Sequence, residues 1–161
     1  MELSYKEIKY RTRETNIFYN NKQLIELLES TKQKYVCFLD KILLNSNYSG
    51  YEKSLIECHN PLLWEAAHPI FFIEKHCVRY LYPEDKYPIQ PDKFNNNLYD
   101  SFIIPNEFRH KTKLTSYMDI KKYYTKLQTK IINFLETTKD DKIEPEQYYT
   151  IMIVILHVHM H

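Results

Sequence analysis

Residues 59–84 read HNPLLWEAAHPIFFIEKHCVRYLYPE, and the fold turns on whether this stretch is one helix. Asn60 carries the short polar side chain that caps helix N-termini. Pro61 suits the first helical position, where its missing N–H would be unpaired anyway. Apolar residues recur at helical spacing through Phe72 and Ile73 to Cys77, which predicts a helix from about Pro61 to about Tyr82. Pro69 removes the hydrogen bond to the carbonyl of Glu65, so a bend is expected just after His68 that does not end the helix. Such a bend aims His68 at the centre of whatever packs against this helix.

Working outward, Leu24, Leu27, Leu28, Tyr35, Phe38, Leu39 and Ile42 follow helical spacing from Asn21 onward, with charged residues on the other faces. Residues 1–19 lack a clear period and read as a lead-in segment held by Ile17, Phe18 and Tyr19. NSNYSGYEK at 45–53 contains Gly50 and a cluster of turn residues, the signature of a loop. Beyond the central stretch, Pro83, Pro88, Pro91 and Pro105 and the run NNN at 95–97 forbid a long helix. Residues 83–114 are therefore expected to form an extended crossover, packed down by Phe94, Leu98, Tyr99, Phe102, Ile103 and Ile104.

SYMD at 116–119 has the form of a capping box and starts a third helix, in which Met118, Tyr124, Leu127, Ile131, Phe134 and Leu135 recur until TTKDDK breaks the pattern. Pro145 opens a fourth, EPEQYYTIMIVILHVHMH, apolar on most faces and expected to be central. The sum is an all-α fold, a four-helix bundle with a long irregular crossover between its second and third helices, with the domain spanning 20–161.

The composition narrows the function classes. With 22 Lys plus Arg against 21 Asp plus Glu, no surplus charge is available to hold a phosphate backbone or an anionic membrane, so neither nucleic acid nor membrane is an expected partner. A single glycine argues against phosphate-cradling loops and tight hairpins. The three cysteines, Cys37, Cys58 and Cys77, show no repeated spacing and indicate no disulfide framework. Together with a polar N-terminal segment and no long apolar run, this leads to the expectation of a soluble cytoplasmic protein.

The chemistry centres on histidine. His157 and His161 are four apart on the fourth helix, so both rings project from one face and can share a metal ion. His159 points nearly the other way and reads as a packing histidine. A third ligand must come from another helix, and His68, set among Leu62, Leu63, Ala66 and Ala67, is the candidate. Cys58 and His59 with His76 and Cys77 offer a second arrangement, a Cys2His2 zinc site, but adjacent residues on a helix face different ways. Glu65, Glu74 and Arg79 read as a solvated face, with Glu65 also placed to orient His68 from three residues away.

NPLLWEAAHPIFFIEKHCVRYL resembles the segment of the DinB-like helical domain that opens the iron-dependent sulfoxide synthases of ergothioneine and ovothiol biosynthesis. The shared marks are Pro61, Trp64 and His68. A crossover mark follows in YDSFIIPNEFRHKTKL, through Tyr99, Asp100, Ser101 and Arg109, and the last is the HxxxH of His157 and His161. The resemblance implies a mononuclear non-haem iron(II) held by His68, His157 and His161, with open positions where dioxygen and a thiol meet. It implies as substrates a small-molecule thiol and a histidine-derived imidazole, joined as a sulfoxide.

In that family the HxxxH helix continues into a second domain, similar to the formylglycine-generating enzyme, which supplies most substrate contacts. The sequence stops at His161, so the expectation is a domain truncated at its C-terminal end, inactive alone, whose site is completed by that missing domain or a companion chain. Two alternatives stand beside it: a DinB-like thiol transferase using zinc or nickel, and a non-enzymatic helical interaction module.

Overall fold

The computed structural model describes residues 19–44, 59–89 and 96–161, and within them every regular element is helical. The lead-in residues 1–18, the loop at 45–53 with Gly50, and the positions of Cys58, Pro91 and Phe94 lie outside the described residues. No helix among those described is long and apolar enough to cross a membrane.

Helix α1 (Asn21–Leu43) starts at a reciprocal cap. The Asn20 side chain accepts from the Gln23 N–H, and the Gln23 side chain accepts from the Asn20 N–H, both at 2.9 Å. Its buried stripe is Leu24, Leu28, Thr31, Tyr35, Leu39 and Leu43. Phe38, expected in that stripe, lies 54% exposed because it falls a quarter turn off the face that Tyr35 and Leu39 bury.

Helix α2 (Leu62–Ile73) begins after Pro61 and runs through Pro69 without a break. The missing N–H of Pro69 is made good from another helix: the Tyr35 hydroxyl, on α1, donates to the Glu65 carbonyl at 3.2 Å and also approaches the Ala66 carbonyl at 3.3 Å. The departure from α geometry comes later, in a π turn (Glu74–Val78) that passes into the short α3 (Arg79–Leu81). There the Arg79 backbone N–H reaches the Glu74 carbonyl, the wider closure that defines a π turn. Residues five apart sit one π turn apart, and the Arg79 guanidinium donates to the Glu74 carboxylate at 2.9 and 2.5 Å. Glu74 is fully buried, so its assignment to a solvated face is corrected. Arg79, at the rim, keeps the carboxylate charge compensated.

The crossover is less extended than its prolines suggest. It contains a 3-10 turn (Asn96–Tyr99) that packs on α2, and the single-turn α4 (Asn106–Arg109). Tyr99 is buried and Leu98 partly so, but Phe102 is 97% exposed and Ile103 is also exposed, which corrects their expected packing role. The cause is a tight turn at Asp100. Its side chain accepts from the Phe102 N–H, and its carbonyl accepts from the N–H groups of Ile103 and Ile104. Backbone groups, not apolar side chains, hold this bend.

Helix α5 (Tyr117–Thr137) is capped by Ser116, whose hydroxyl oxygen accepts from the Asp119 N–H while donating its proton to the Asp119 carboxylate. Met118 lies outward, whereas Tyr124, Leu127, Ile131 and Leu135 form the buried stripe. Helix α6 (Pro145–Met160) starts with its proline in the first turn and buries Thr150, Ile151, Val154, Ile155 and Val158. It is not apolar-buried on most faces as expected, since Tyr149, Leu156 and Met160 face outward. Helix α1 packs on α5 and α6, and α2 packs on the same two.

Tyr35→Phe leaves the Glu65 carbonyl without its donor and is expected to cost about 1–3 kcal/mol. In a Pro69→Ala background the restored N–H takes over that carbonyl, and the cost of Tyr35→Phe drops below about 1 kcal/mol. Urea unfolding of the four proteins in this cycle measures both, and equal costs in the two backgrounds would contradict the assignment.

Candidate metal centre

Two packed helices bring three imidazoles together. His157 and His161 project from one face of α6 and its end, and His68 projects from α2, which packs against α6. Ring centroids lie 5.2 Å apart for His68 and His157, 5.0 Å for His68 and His161, and 4.9 Å for His157 and His161. One ligand nitrogen of each ring lies within 4.8 Å of the other two. Nitrogens on opposite sides of one ion, each at about 2.1 Å, can be no more than about 4.2 Å apart, so a small inward turn of the rings is what coordination requires.

The other nitrogens are spoken for. His68 Nδ1 lies 2.7 Å from the Tyr99 carbonyl, which can only accept, so Nδ1 carries the proton and Nε2 is left. His161 Nδ1 lies 2.8 Å from Glu65 Oε2 and, by the same logic, also leaves Nε2. Nε2 of His157 is buried and has no hydrogen-bond partner among the described residues. An unsatisfied buried imidazole nitrogen costs about 1–3 kcal/mol, and a cation bound there would satisfy it. The residues therefore fit a metal ion.

Aromatic rings fix the planes of two of these imidazoles. Trp64 stacks on His68 with centroids 4.8 Å apart and planes 13° apart, and Phe72 stacks on His157 at 3.8 Å and 13°. Trp64 is itself held by its indole N–H on the Leu98 carbonyl at 2.7 Å, and the Arg109 guanidinium lies over its ring at 4.0 Å. Arg109 donates to the carbonyls of Ile104 and Ser101 and to the Asn60 side chain. Asp100 takes an ion pair from Lys75 at 2.5 Å.

Burial sets the charge state. It pushes His157 down to about 4, with His161, His68 and His76 adding repulsion. Burial also lowers His68, more than the Tyr99 carbonyl raises it. Burial works to raise the Glu65 carboxyl, but the hydrogen bonds from His161 and Asn60 outweigh it and hold Glu65 below the usual carboxylate range. His68 and His157 are thus neutral at physiological pH, the form that ligates metals.

His68, His157 and His161 are brought together, and His159 is not: its Nε2 meets the Thr31 hydroxyl of α1 at 3.0 Å. The Cys2His2 arrangement does not assemble among the described residues. His76 lies exposed against Phe72 at 4.2 Å while Cys77 is fully buried, its thiol pushed up by desolvation, and Cys58 lies outside the described residues. Glu65 orients His161 and not His68, because a carboxylate three residues before His68 on the same helix faces the incoming α6 ring. Asn60 does not cap α2. Its amide N–H instead bonds Glu65 Oε1. The Tyr99 carbonyl, a backbone group, carries no residue signature by which the sequence could have announced it.

Comparison of the chain with protein-family models and with curated proteins finds no match.

In the metal-free protein, unfolded histidines titrate near 6.5 while His157 in the fold resists protonation to about 4 and His68 is also lowered. As pH falls between these limits the unfolded chain takes up protons that the folded chain does not, so stability falls through that window. Above it these groups add no pH dependence. Thermal midpoints measured at closely spaced pH values should show this decline, and His157→Gln should flatten it. A midpoint unchanged from about pH 6.5 to about 4.5 would contradict the burial argument.

Proposed function

We propose that this chain is a metal-binding DinB-like domain. In this reading it is a four-helix bundle with a long irregular crossover, and it resembles the iron-binding half of a non-haem iron sulfoxide synthase. His68, His157 and His161 would hold one divalent first-row ion. The observation that carries the reading is the convergence of three imidazole nitrogens from two helices distant in sequence. Its support is chemical as well as geometric, since burial keeps His68 and His157 neutral, His68 and His161 each have Nδ1 engaged by an acceptor, and His157 presents a buried nitrogen with no other partner among the described residues.

Each residue has a stated part. The Tyr99 carbonyl holds the Nδ1 proton of His68, and Glu65 holds that of His161, so both present Nε2 to the same point. Trp64 and Phe72 cover faces of His68 and His157 and restrict solvent around them. When bound, iron(II) supplies a redox-active Lewis acid with open positions for dioxygen and a thiol. With three neutral ligands the ion keeps its full charge, which favours an anionic thiolate over a neutral thiol at the open face. Cysteine or γ-glutamylcysteine and a histidine derivative such as hercynine are the substrates that the resemblance implies.

Metal analysis of the purified protein distinguishes iron from zinc and nickel, which the ligand set alone does not. Anaerobic titration with Fe(II) is expected to show one equivalent bound. His68→Ala and His157→Ala should each weaken it by more than the roughly 10–100-fold typical of losing an outer hydrogen bond to a ligand. Adding oxygen with the thiol and hercynine, with mass detection of a sulfoxide, tests the reaction. A folded wild-type chain that takes up no divalent metal would refute the proposal.

A further inference from the structure

The third imidazole is held differently from the other two. His68 and His157 each lie against a stacked aromatic ring, whereas among the described residues the rings near His161 are only its fellow histidines. Its plane and its proton are set by one group, the Glu65 carboxylate on α2, at 2.8 Å from Nδ1. A carboxylate accepts and does not donate, so this contact requires the proton on Nδ1 and leaves Nε2 with its lone pair.

Glu65 is itself positioned. Its Oε1 accepts a short hydrogen bond from the Asn60 amide N–H, which leaves Oε2 for His161. The Asn60 amide cannot flip without loss, because its Oδ1 accepts from Arg109 at 2.7 Å and from the Asn106 side chain at 3.0 Å. Arg109 is pinned in turn by the carbonyls of Ile104 and Ser101, at 2.9 and 3.3 Å. A continuous chain of hydrogen bonds therefore runs from the crossover backbone through Arg109, Asn60 and Glu65 to His161.

We propose that Glu65 is the positioning residue that fixes His161 as its Nδ1–H tautomer with Nε2 turned to His68 and His157, and that Asn60 and Arg109 make the crossover segment the anchor of this ligand. Its consequence for metal affinity rests on the metal-binding reading above, while the tautomer is a property of the metal-free chain. Glu65→Ala removes the acceptor. Glu65→Gln leaves one acceptor oxygen where the carboxylate supplies two, so His161 and Asn60 compete for it. Adding Asn60→Asp turns that competing donor into an acceptor: the glutamine N–H then bonds the new carboxylate, and its oxygen is free for His161.

The test uses the full chain at about pH 8, above the ordinary imidazole range. Two-bond nitrogen–proton correlation spectra read the His161 tautomer without metal, and competition with a chromophoric chelator reads Zn(II) affinity. The wild-type ring should be the Nδ1–H form. Glu65→Ala should lose that preference and bind zinc about 10–100-fold more weakly. Glu65→Gln should fall between, and Glu65→Gln with Asn60→Asp should recover the tautomer and most of the affinity, a rescue that a merely structural role would not produce. A wild-type His161 protonated on Nε2, or a tautomer unchanged in folded Glu65→Ala, overturns the proposal. Zinc affinity equal to wild type in Glu65→Ala also overturns it. If the folded wild type binds no zinc, the metal reading fails by itself, and a retained Nδ1–H tautomer that Glu65→Ala abolishes still upholds the positioning role.

Discussion

The hydrogen bond from His68 Nδ1–H to the Tyr99 carbonyl joins two parts of the chain that local sequence cannot join. One end is a side chain on a helix, the other a backbone group in an irregular segment, and both are buried. Either left alone would carry a desolvation penalty of about 1–3 kcal/mol, so the crossover is bound to lie where it does once α2 is packed. The same bond decides the chemistry, because it consumes one nitrogen of His68 and turns the other inward. Fold and site thus share one constraint. Tyr99 strengthens it from its other end, where its hydroxyl oxygen accepts from the Thr115 N–H at 2.8 Å and ties the crossover to the start of α5.

Around that bond, residues scattered across the sequence form one network. Trp64 lies between α2 and the crossover by its bond to Leu98 and its contact with Arg109. Arg109 gathers the carbonyls of Ile104 and Ser101, and Asp100 shapes the turn and pairs with Lys75. Each is a polar or aromatic side chain satisfying backbone groups that an irregular segment leaves unpaired. Among its described residues the crossover has no strand whose ladder could absorb N–H and C=O groups, and side chains do so instead.

What the sequence discloses follows from how local each interaction is. The start of α6 at Pro145 and the Ser116 cap depend on neighbours within a turn, and their residue types announce them, as the apolar spacing announces helical structure from Leu62 to Leu81, although the Tyr35 bond that supports it at Pro69 is not local. The pairing of His157 with His161 is local in the same sense. The partner of Glu65 is not, since it lies 96 residues away on another helix, and a carboxylate bound there looks in sequence like any solvated glutamate. Glu74 was hidden because five-residue spacing is outside the α-helical repertoire, and only the π turn makes it a match for Arg79. Phe102 misled in the opposite sense: apolarity says that a residue can be buried, and the turn at Asp100 directs it outward.

Charge explains why the polar shell is arranged as it is. Imidazoles bring no anion to the centre, and burial disfavours the protonated forms of His68 and His157 there. A fixed negative charge, Glu65, lies one imidazole away from the point where the rings meet. It bonds the outer nitrogen of the His161 ring, which leaves the inner positions open. Arg109, with its own positive charge, hydrogen-bonds to Asn60, which in turn bonds Glu65, so the carboxylate is held in place without a direct Arg109–Glu65 hydrogen bond. A neutral amide between the guanidinium and the carboxylate is what lets Glu65 serve the histidine centre, because a direct Arg–Glu pair would occupy the oxygen that His161 needs.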